Sequence, residues 1–192
     1  MAESSPFPSH PFWDFSLAVY GRAGFAQAAI ALQDELGLDV NMILFCGWAA
    51  SQGRRLSHYD LVAIDAKVAA WQHDIVHPLR EIRRRLRQKN EAIPAELGDA
   101  LKKRVQTVEI DAEHVEQLVL GASLPPRASG SDPLRDTAGN IALYIDFVTS
   151  VRPAGCADHL KVLLAGFLPG ATPDAISSAL AEAFKAAQQT KP

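Results

Sequence analysis

Apolar residues recur along most of the chain at the three- and four-residue spacing of helices that are buried on one side. One stretch departs from this pattern, because almost every residue from Val40 to Ala50 is apolar. A helix there has no polar side and needs cover in all directions. Gly37 predicts the end of the preceding helix, and Asp39 predicts the N-cap of this one. Since about 11 apolar residues cannot span a bilayer, which needs about 20, we expect a buried central helix at about residues 40–52.

The segments around this helix predict further helices. No strand-like alternation bounded by hairpin turns and no internal repeat occurs in the sequence. Helix starts are predicted at Ser9, which precedes Pro11, and at Ser57, which Asp60 follows at the spacing of a capping box. The helical phase continues on both sides of Pro78, which predicts a kink or two abutting helices. We expect an all-α fold, a multi-helix bundle around the central helix.

An antiparallel helical hairpin is predicted at about residues 73–121. Its first arm is amphipathic, with apolar residues on one side and a basic side that we expect to face solvent. The basic side comprises His73, His77, Arg80, Arg83, Arg84 and Arg87. The second arm carries an apolar stripe at coiled-coil spacing. The stripe comprises Leu97, Leu101, Val105, Val108, Ala112, Val115 and Val119.

Proline, glycine and serine suggest how the chain is organised. Residues 1–10 are expected to form a disordered leader, and residues 11–123 a helical core domain that includes the hairpin. Residues 124–132 have the composition of a linker. Residues 133–192 are expected to form three further helices that pack on the core or are appended to it.

Composition excludes several function classes. The 192 residues include 19 basic and 22 acidic ones, and the net charge of -3 gives no general attraction to nucleic acid, which we do not expect as a partner. Cys46 and Cys156 form neither a disulfide framework nor a metal-ligand spacing. The acidic, proline-containing start does not have the pattern of a secretory signal. We expect a cytoplasmic protein without a membrane span.

The basic side of the hairpin is the first candidate binding face. His73 and His77 stand four residues apart, a spacing that could hold a transition metal. Arg80 and Arg84 extend the same face, and their fixed charge opposes a cation while it favours phosphate or carboxylate. The arginines could be offset by acids of the second arm, by an anionic ligand or by an acidic partner. We favour the partner and expect no metal.

The tight corner before the central helix is the second candidate, with Asp39 and Asn41 as its residues, although helix capping also accounts for Asp39. Asp60 and Asp65 bracket an apolar run, an arrangement reminiscent of isoprenoid synthases that bind diphosphate through magnesium. Their spacing of five puts the carboxylates about 140° apart around the helix, too far to share one ion. Nucleophile-elbow, phosphate-loop and zinc-protease motifs do not occur in the sequence. We expect no catalytic residue and no cofactor.

Two motifs follow one another in the first two thirds of the chain: LQxxxGLDVNxxLFCxW, which begins at Leu32, and WxxxxVxPLRxIRR, which begins at Trp71. A WxF element at Trp13 precedes them, and an ExxAE element at Glu109 follows. With these motifs the chain resembles a family of small proteobacterial proteins known only as a domain of unknown function, over about residues 12–120. The resemblance implies kinship and a bacterial source, but it implies no activity, cofactor or catalytic residue.

Two function classes remain. The one we favour is a non-catalytic interaction module whose basic hairpin face binds a protein partner or a second copy of the chain. The alternative is a helical bundle that binds an apolar or anionic small molecule among Trp13, Phe15, Trp48 and Trp71. An all-helical enzyme is a third class, which we favour least.

Overall fold

The structure, a computed structural model, describes residues 7–88, 91–149 and 155–189, and its regular secondary structure consists of helices. The described residues contain no β-strand, so the predicted all-α fold is confirmed. The elements are α1 (Pro11–Tyr20), α2 (Phe25–Leu36), α3 (Val40–Ser51), α4 (His58–Trp71), a π-helical segment (Gln72–Val76), α5 (His77–Arg85), α6 (Ala95–Gly121), α7 (Pro133–Val148), α8 (Cys156–Phe167) and α9 (Pro173–Gln189). Most of the predicted leader, residues 1–6, lies outside the described residues.

Local capping fixes the helices around the centre. Gly37 ends α2 with a left-handed φ of 70°, which glycine adopts without steric cost. Two residues later the Asp39 carboxylate accepts a hydrogen bond from the Asn41 N–H at 2.8 Å. Ser57 and Asp60 form the predicted capping box at the start of α4. These three signals are local, and the structure confirms all of them.

The first helix begins differently from the prediction. His10, and not Ser9, is the N-cap of α1, because its Nδ1 accepts from the Phe12 N–H at 3.1 Å.

No single helix among the described residues is long and apolar enough to cross a membrane. α1 and α2 together have a sufficient length and composition, but they are bent by 99° at the break between them.

The predicted central helix is α3, in which Asn41 to Ala50 are all buried. Trp48 stacks on Phe12 of α1 with ring centroids 4.8 Å apart. Gly47 lies against the ring of Phe167 in α8, and a Cβ at this position would overlap that ring. α3 is therefore covered by helices from both ends of the chain.

The three predicted C-terminal helices, α7, α8 and α9, are present and pack on the core. α7 lies along α3, where the Asn140 amide donates to the backbone carbonyls of Cys46 and Arg54, each at 3.1 Å. Its oxygen accepts from the Leu56 N–H at 2.8 Å. α9 packs mainly on α7, and α8 mainly on α2. Cys46 and Cys156 are both free and buried.

The predicted hairpin is formed by α5 and α6, which run antiparallel. Pro78 is the second residue of α5, directly after the π-helical segment. Because proline has no backbone N–H, it cannot donate to the preceding turn. α4, the π-helical segment and α5 follow one another without a gap, which corresponds to the predicted abutting helices.

Candidate functional site

The basic side of α5 is divided between internal ion pairs and the surface. Arg80 and Arg83 turn inward, with 13% and 20% of their side chains exposed. Arg80 Nη2 lies 2.9 Å from Glu113 Oε1, and its Nη1 donates to Gln33 of α2 at 2.6 Å. Arg83 donates to both oxygens of Glu109, from Nε and from Nη2. Acids of α6 therefore offset these two arginines within the molecule.

The outer arginines of the predicted face lie at the surface. Arg84 forms an ion pair with Asp34 of α2 at 3.0 Å, and about half of each side chain is exposed. Arg87 is exposed and makes no ion pair in the described part of the chain. Of the four arginines of the predicted face, only Arg84 and Arg87 are exposed at the surface. The role of this face in binding stays a prediction.

The two histidines of the face are exposed as well. His73 Nδ1 lies 2.7 Å from Asp74 Oδ1. Partial desolvation lowers the pKa of His77, and the neighbouring positive charge of Arg80 lowers it further, so this imidazole is neutral at pH 7. Among the residues that the structure describes, no group of three or more His, Cys, Asp or Glu side chains is placed to hold a metal ion.

The apolar side of the hairpin is exposed, which differs from the expected arrangement. Ile75 and Ile82 expose 37% and 47% of their surface on the first arm, while Leu97, Leu101 and Val108 expose 63%, 51% and 51% on α6. The reason is that α5 contacts α6 through its arginine side, so its apolar side turns outward. We call these five residues the hairpin stripe.

The stripe residues of α6 share one side of the helix. At 100° per residue, Leu97, Leu101 and Val108 fall within about 40° of one another around the helix axis. Trp71 donates its indole N–H to the carbonyl of Ala112, one turn beyond Val108, at 3.0 Å. This bond holds the end of α4 against α6.

The corner that precedes α3 is a buried polar cluster. Asp39 and Asn41 are 7% and 4% exposed. The Asn41 side chain donates to Glu116 Oε2 at 2.9 Å and accepts from Gln117 Nε2 at 2.8 Å. Glu116 Oε1 and Gln117 Oε1 are buried and have no hydrogen-bond partner among the described residues. Glu116 and Gln117 were not candidates from sequence, although Glu109, Glu113 and Glu116 recur at helical spacing.

Two further residues connect this corner to distant parts of the chain. The Asp39 N–H donates to the Tyr144 hydroxyl of α7 at 2.9 Å. Gln72, the first residue of the π-helical segment, donates from Nε2 to the Asp39 carboxylate. π-helical turns recur at functional sites, and the π-helical segment that carries Gln72 contacts this corner. Its hydrogen bonds, however, join α3, α6 and α7 to one another.

Charge at the corner is reduced by protonation. Burial raises the pKa of Glu116 to about 10, and the nearby Asp39 carboxylate adds to this effect. Glu116 is therefore neutral at pH 7. A neutral carboxylic acid near the Asp39 carboxylate places one charge in the buried corner instead of two. This chemistry stabilises the junction of the helices.

The four aromatic residues proposed as a small-molecule site pack against different neighbours. Trp48 is buried against Phe12, and Trp13 stacks on His114 with centroids 4.1 Å apart. Phe15 stacks on Phe167 with centroids 6.0 Å apart. Trp71 contacts α6 through Ala112. Each ring has its own packing partner.

Comparisons with known proteins identify one family for this chain. No curated protein and no solved structure matches the chain. The model of one family matches residues 11–120, which include α1 to α5 and nearly all of α6. The corner residues of α3 and α6 and the two arms of the hairpin all lie within the matched region. The chain belongs to the family described as "Protein of unknown function (DUF2390)".

Proposed function

We propose that this protein is a non-catalytic interaction module whose hairpin binds an acidic amphipathic helix of a partner protein. The observation that carries the proposal is the exposure of the hairpin stripe. Soluble proteins seldom leave a contiguous row of large apolar side chains open to water unless another surface covers it. The stripe has the spacing of residues that pack against a second helix.

The charge around the stripe favours an acidic partner. Residues 77–88 and 91–110 contain eight basic and five acidic residues, although the whole chain carries -3. Arg104 lies about 40° from Val108 around α6 and makes no ion pair in the described part of the hairpin. Complementary charge would steer the partner and fix its orientation.

A second copy of the chain fits less well. An antiparallel pair of α6 helices that brings Leu97 opposite Val108 has its centre near Lys102 and Lys103. These lysines and Arg104 of the two copies would then face each other, and like charges across an interface oppose association. The same stripe can instead receive glutamates that flank leucines on a different helix.

Calorimetry with designed peptides tests this function. The probe is a three-heptad helical peptide with leucine at positions a and d and glutamate at the flanking positions, and the matched peptide carries lysine instead of glutamate. We expect the full chain to bind the glutamate peptide, with weaker binding at high salt because screening reduces the charge contribution. Leu101→Glu combined with Val108→Glu is expected to weaken binding at least tenfold.

Val162→Glu is the matched control, since Val162 is 38% exposed on α8, a helix that packs on α2, α7 and α9. The control variant is expected to bind like the unchanged protein. Equal binding of the lysine peptide, or full binding by the doubly substituted hairpin, would refute the proposal. Sedimentation that shows a dimer dissociated by the double substitution would identify a second copy as the occupant of the stripe and would also overturn it.

A further inference from the structure

A cavity of about 790 Å³ lies between the start of α4, α7 and α9. Its size falls in the range of roughly 300–1,000 Å³ that is usual for small-molecule sites. Its apolar wall is formed by Leu56, Leu143, Phe147 and Ala183. The cavity is therefore large enough, and apolar enough, for the body of a small organic molecule.

Gly139 leaves part of the cavity wall without a side chain. It lies inside α7 and lines the cavity, and a Cβ built on it meets no atom within 4 Å. Gly47 and Gly166 differ, since the rings of Phe167 and Phe25 fill the place of a Cβ there. At Gly139 the missing side chain leaves open cavity.

The mouth of the cavity carries two arginines. Arg55 pairs through Nε with Asp136, which is 2% exposed and also accepts from the Ser131 hydroxyl at 2.7 Å. Half of the Arg55 side chain remains exposed. Arg135 is 69% exposed and lies 3.8 Å from Glu182, the long end of the range for an ion pair. Arg55 Nη2 also donates to the Gly130 carbonyl at 2.6 Å. Each guanidinium has five N–H donors, so both arginines keep donors for an anion, although the carboxylates of Asp136 and Asp146 also line the cavity.

We propose that this cavity binds a small carboxylic acid with an apolar body, whose carboxylate contacts Arg55 and Arg135. The apolar part lies against Leu143 and Phe147, next to Gly139. Guanidinium groups match the geometry of a carboxylate and hold it in place. This ligand site is separate from the hairpin, and it adds a second binding activity to the proposed interaction module.

Binding of decanoate, followed by isothermal titration calorimetry on the full chain, tests the site. We expect saturable binding in the low-millimolar range or tighter, and weaker binding of 1-decanol, which has the same chain without the charge. Gly139→Leu puts an isobutyl group into the cavity, from a position where a Cβ meets no atom within 4 Å, and is expected to reduce decanoate affinity at least tenfold. Gly98→Leu is the matched control, because Gly98 is also a helical glycine with no atom within 4 Å of a built Cβ, but it lies in α6.

Circular dichroism separates loss of binding from loss of folding. Gly139→Leu and Gly98→Leu are both expected to keep the helical content of the unchanged protein and to melt at the same temperature or higher, because leucine favours a helix more than glycine does. Arg135→Glu tests the head group and should weaken decanoate at least tenfold while leaving 1-decanol unchanged. Absence of decanoate binding to the unchanged protein, or equal binding to a folded Gly139→Leu variant, would overturn the site. Binding of 1-decanol as tight as that of decanoate would overturn the carboxylate assignment.

Discussion

Arg80 of α5 lies 2.9 Å from the Glu113 carboxylate of α6, and the two side chains join the arms of the hairpin at its base. Arg80 is 13% exposed and Glu113 is 27% exposed, so water screens this pair less than it screens a surface ion pair. Glu109 lies beside them and pairs with Arg83. The orientation of α5 depends on this group of charges, because it directs the arginine side towards α6.

Reversal of the charge at Arg80 is expected to destabilise the fold. Arg80→Glu would leave three acids close together with one arginine, and breaking a buried ion pair costs about 3–5 kcal/mol. The measurement is the free energy of unfolding in urea. Addition of Glu113→Arg should recover part of the loss, since the pair is then restored with opposite orientation.

Arg87→Glu is the control for this prediction. Arg87 is on the same side of α5 but is exposed, and substitutions at exposed charges usually change stability by about 0.5 kcal/mol or less. Equal unfolding midpoints for the Arg80→Glu and Arg87→Glu variants would contradict the structural role of Arg80.

Glu116 is expected to make stability depend on pH. Its pKa rises from an ordinary 4.5 to about 10 in the folded protein, so the folded state keeps a proton that the unfolded chain releases above pH 4.5. The stabilisation by this proton is complete below pH 4.5 and is lost progressively as the pH rises towards 10. We expect a decrease on the order of 1 kcal/mol per pH unit between pH 6 and pH 9.

Glu116→Gln removes this titration and keeps a side chain of similar shape. The variant should show a flatter dependence of unfolding free energy on pH, and at pH 9 it should be more stable than the unchanged protein. Glu182→Gln, at an exposed acid of α9, should leave the dependence as it is. An identical pH slope in the Glu116→Gln variant would show that another group titrates.

Trp48→Ala is expected to destabilise the protein by about 3–5 kcal/mol, the usual cost of removing a large aromatic side chain from a core. Trp48 is 5% exposed and contacts Phe12 and Phe45. Tyr59→Ala is the comparison, because Tyr59 is 85% exposed and should change stability by less than about 0.5 kcal/mol. Thermal and urea unfolding of both variants measure the difference, and similar losses would contradict the central position of α3.

Two glycine-to-alanine substitutions are expected to have opposite signs. Gly47→Ala would push a Cβ into the Phe167 ring, and overpacking of a core costs about 1–3 kcal/mol. Gly139→Ala meets open space and should stabilise α7 by about 0.5–1 kcal/mol, because alanine loses less backbone freedom. Differential scanning calorimetry of both variants gives the two shifts in melting temperature. A loss at both positions would show that Gly139 is required by the fold itself.

Much of the fold is predictable from sequence because its signals are local. The end of α2 at Gly37, the cap at Asp39 and the apolar run of α3 each need only a few neighbouring residues. His10 was missed as the cap of α1 because a serine beside it is the commoner choice. Local patterns therefore located the elements and the buried helix.

The orientation of the hairpin could not be predicted in the same way. The π-helical segment changes the helical phase between α4 and α5, and no residue between Gln72 and Val76 signals it. Arg80 and Arg83 turn inward because acids about 30 residues later lie opposite them, a contact that depends on tertiary structure. The sequence predicts the apolar stripe of the second arm from its spacing, but it does not indicate that Leu97, Leu101 and Val108 are exposed.

The contact between α3 and α7 has a consequence for how the protein can evolve. The family match ends at residue 120, yet Tyr144 accepts from the Asp39 N–H, and Asn140 holds the backbone at Cys46. Any relative that retains the matched region without α7 must supply these partners from another segment or another chain. The region that the family model matches is thus shorter than the set of helices that pack around α3, and the side chains of Asn140 and Tyr144 join α7 to the matched region.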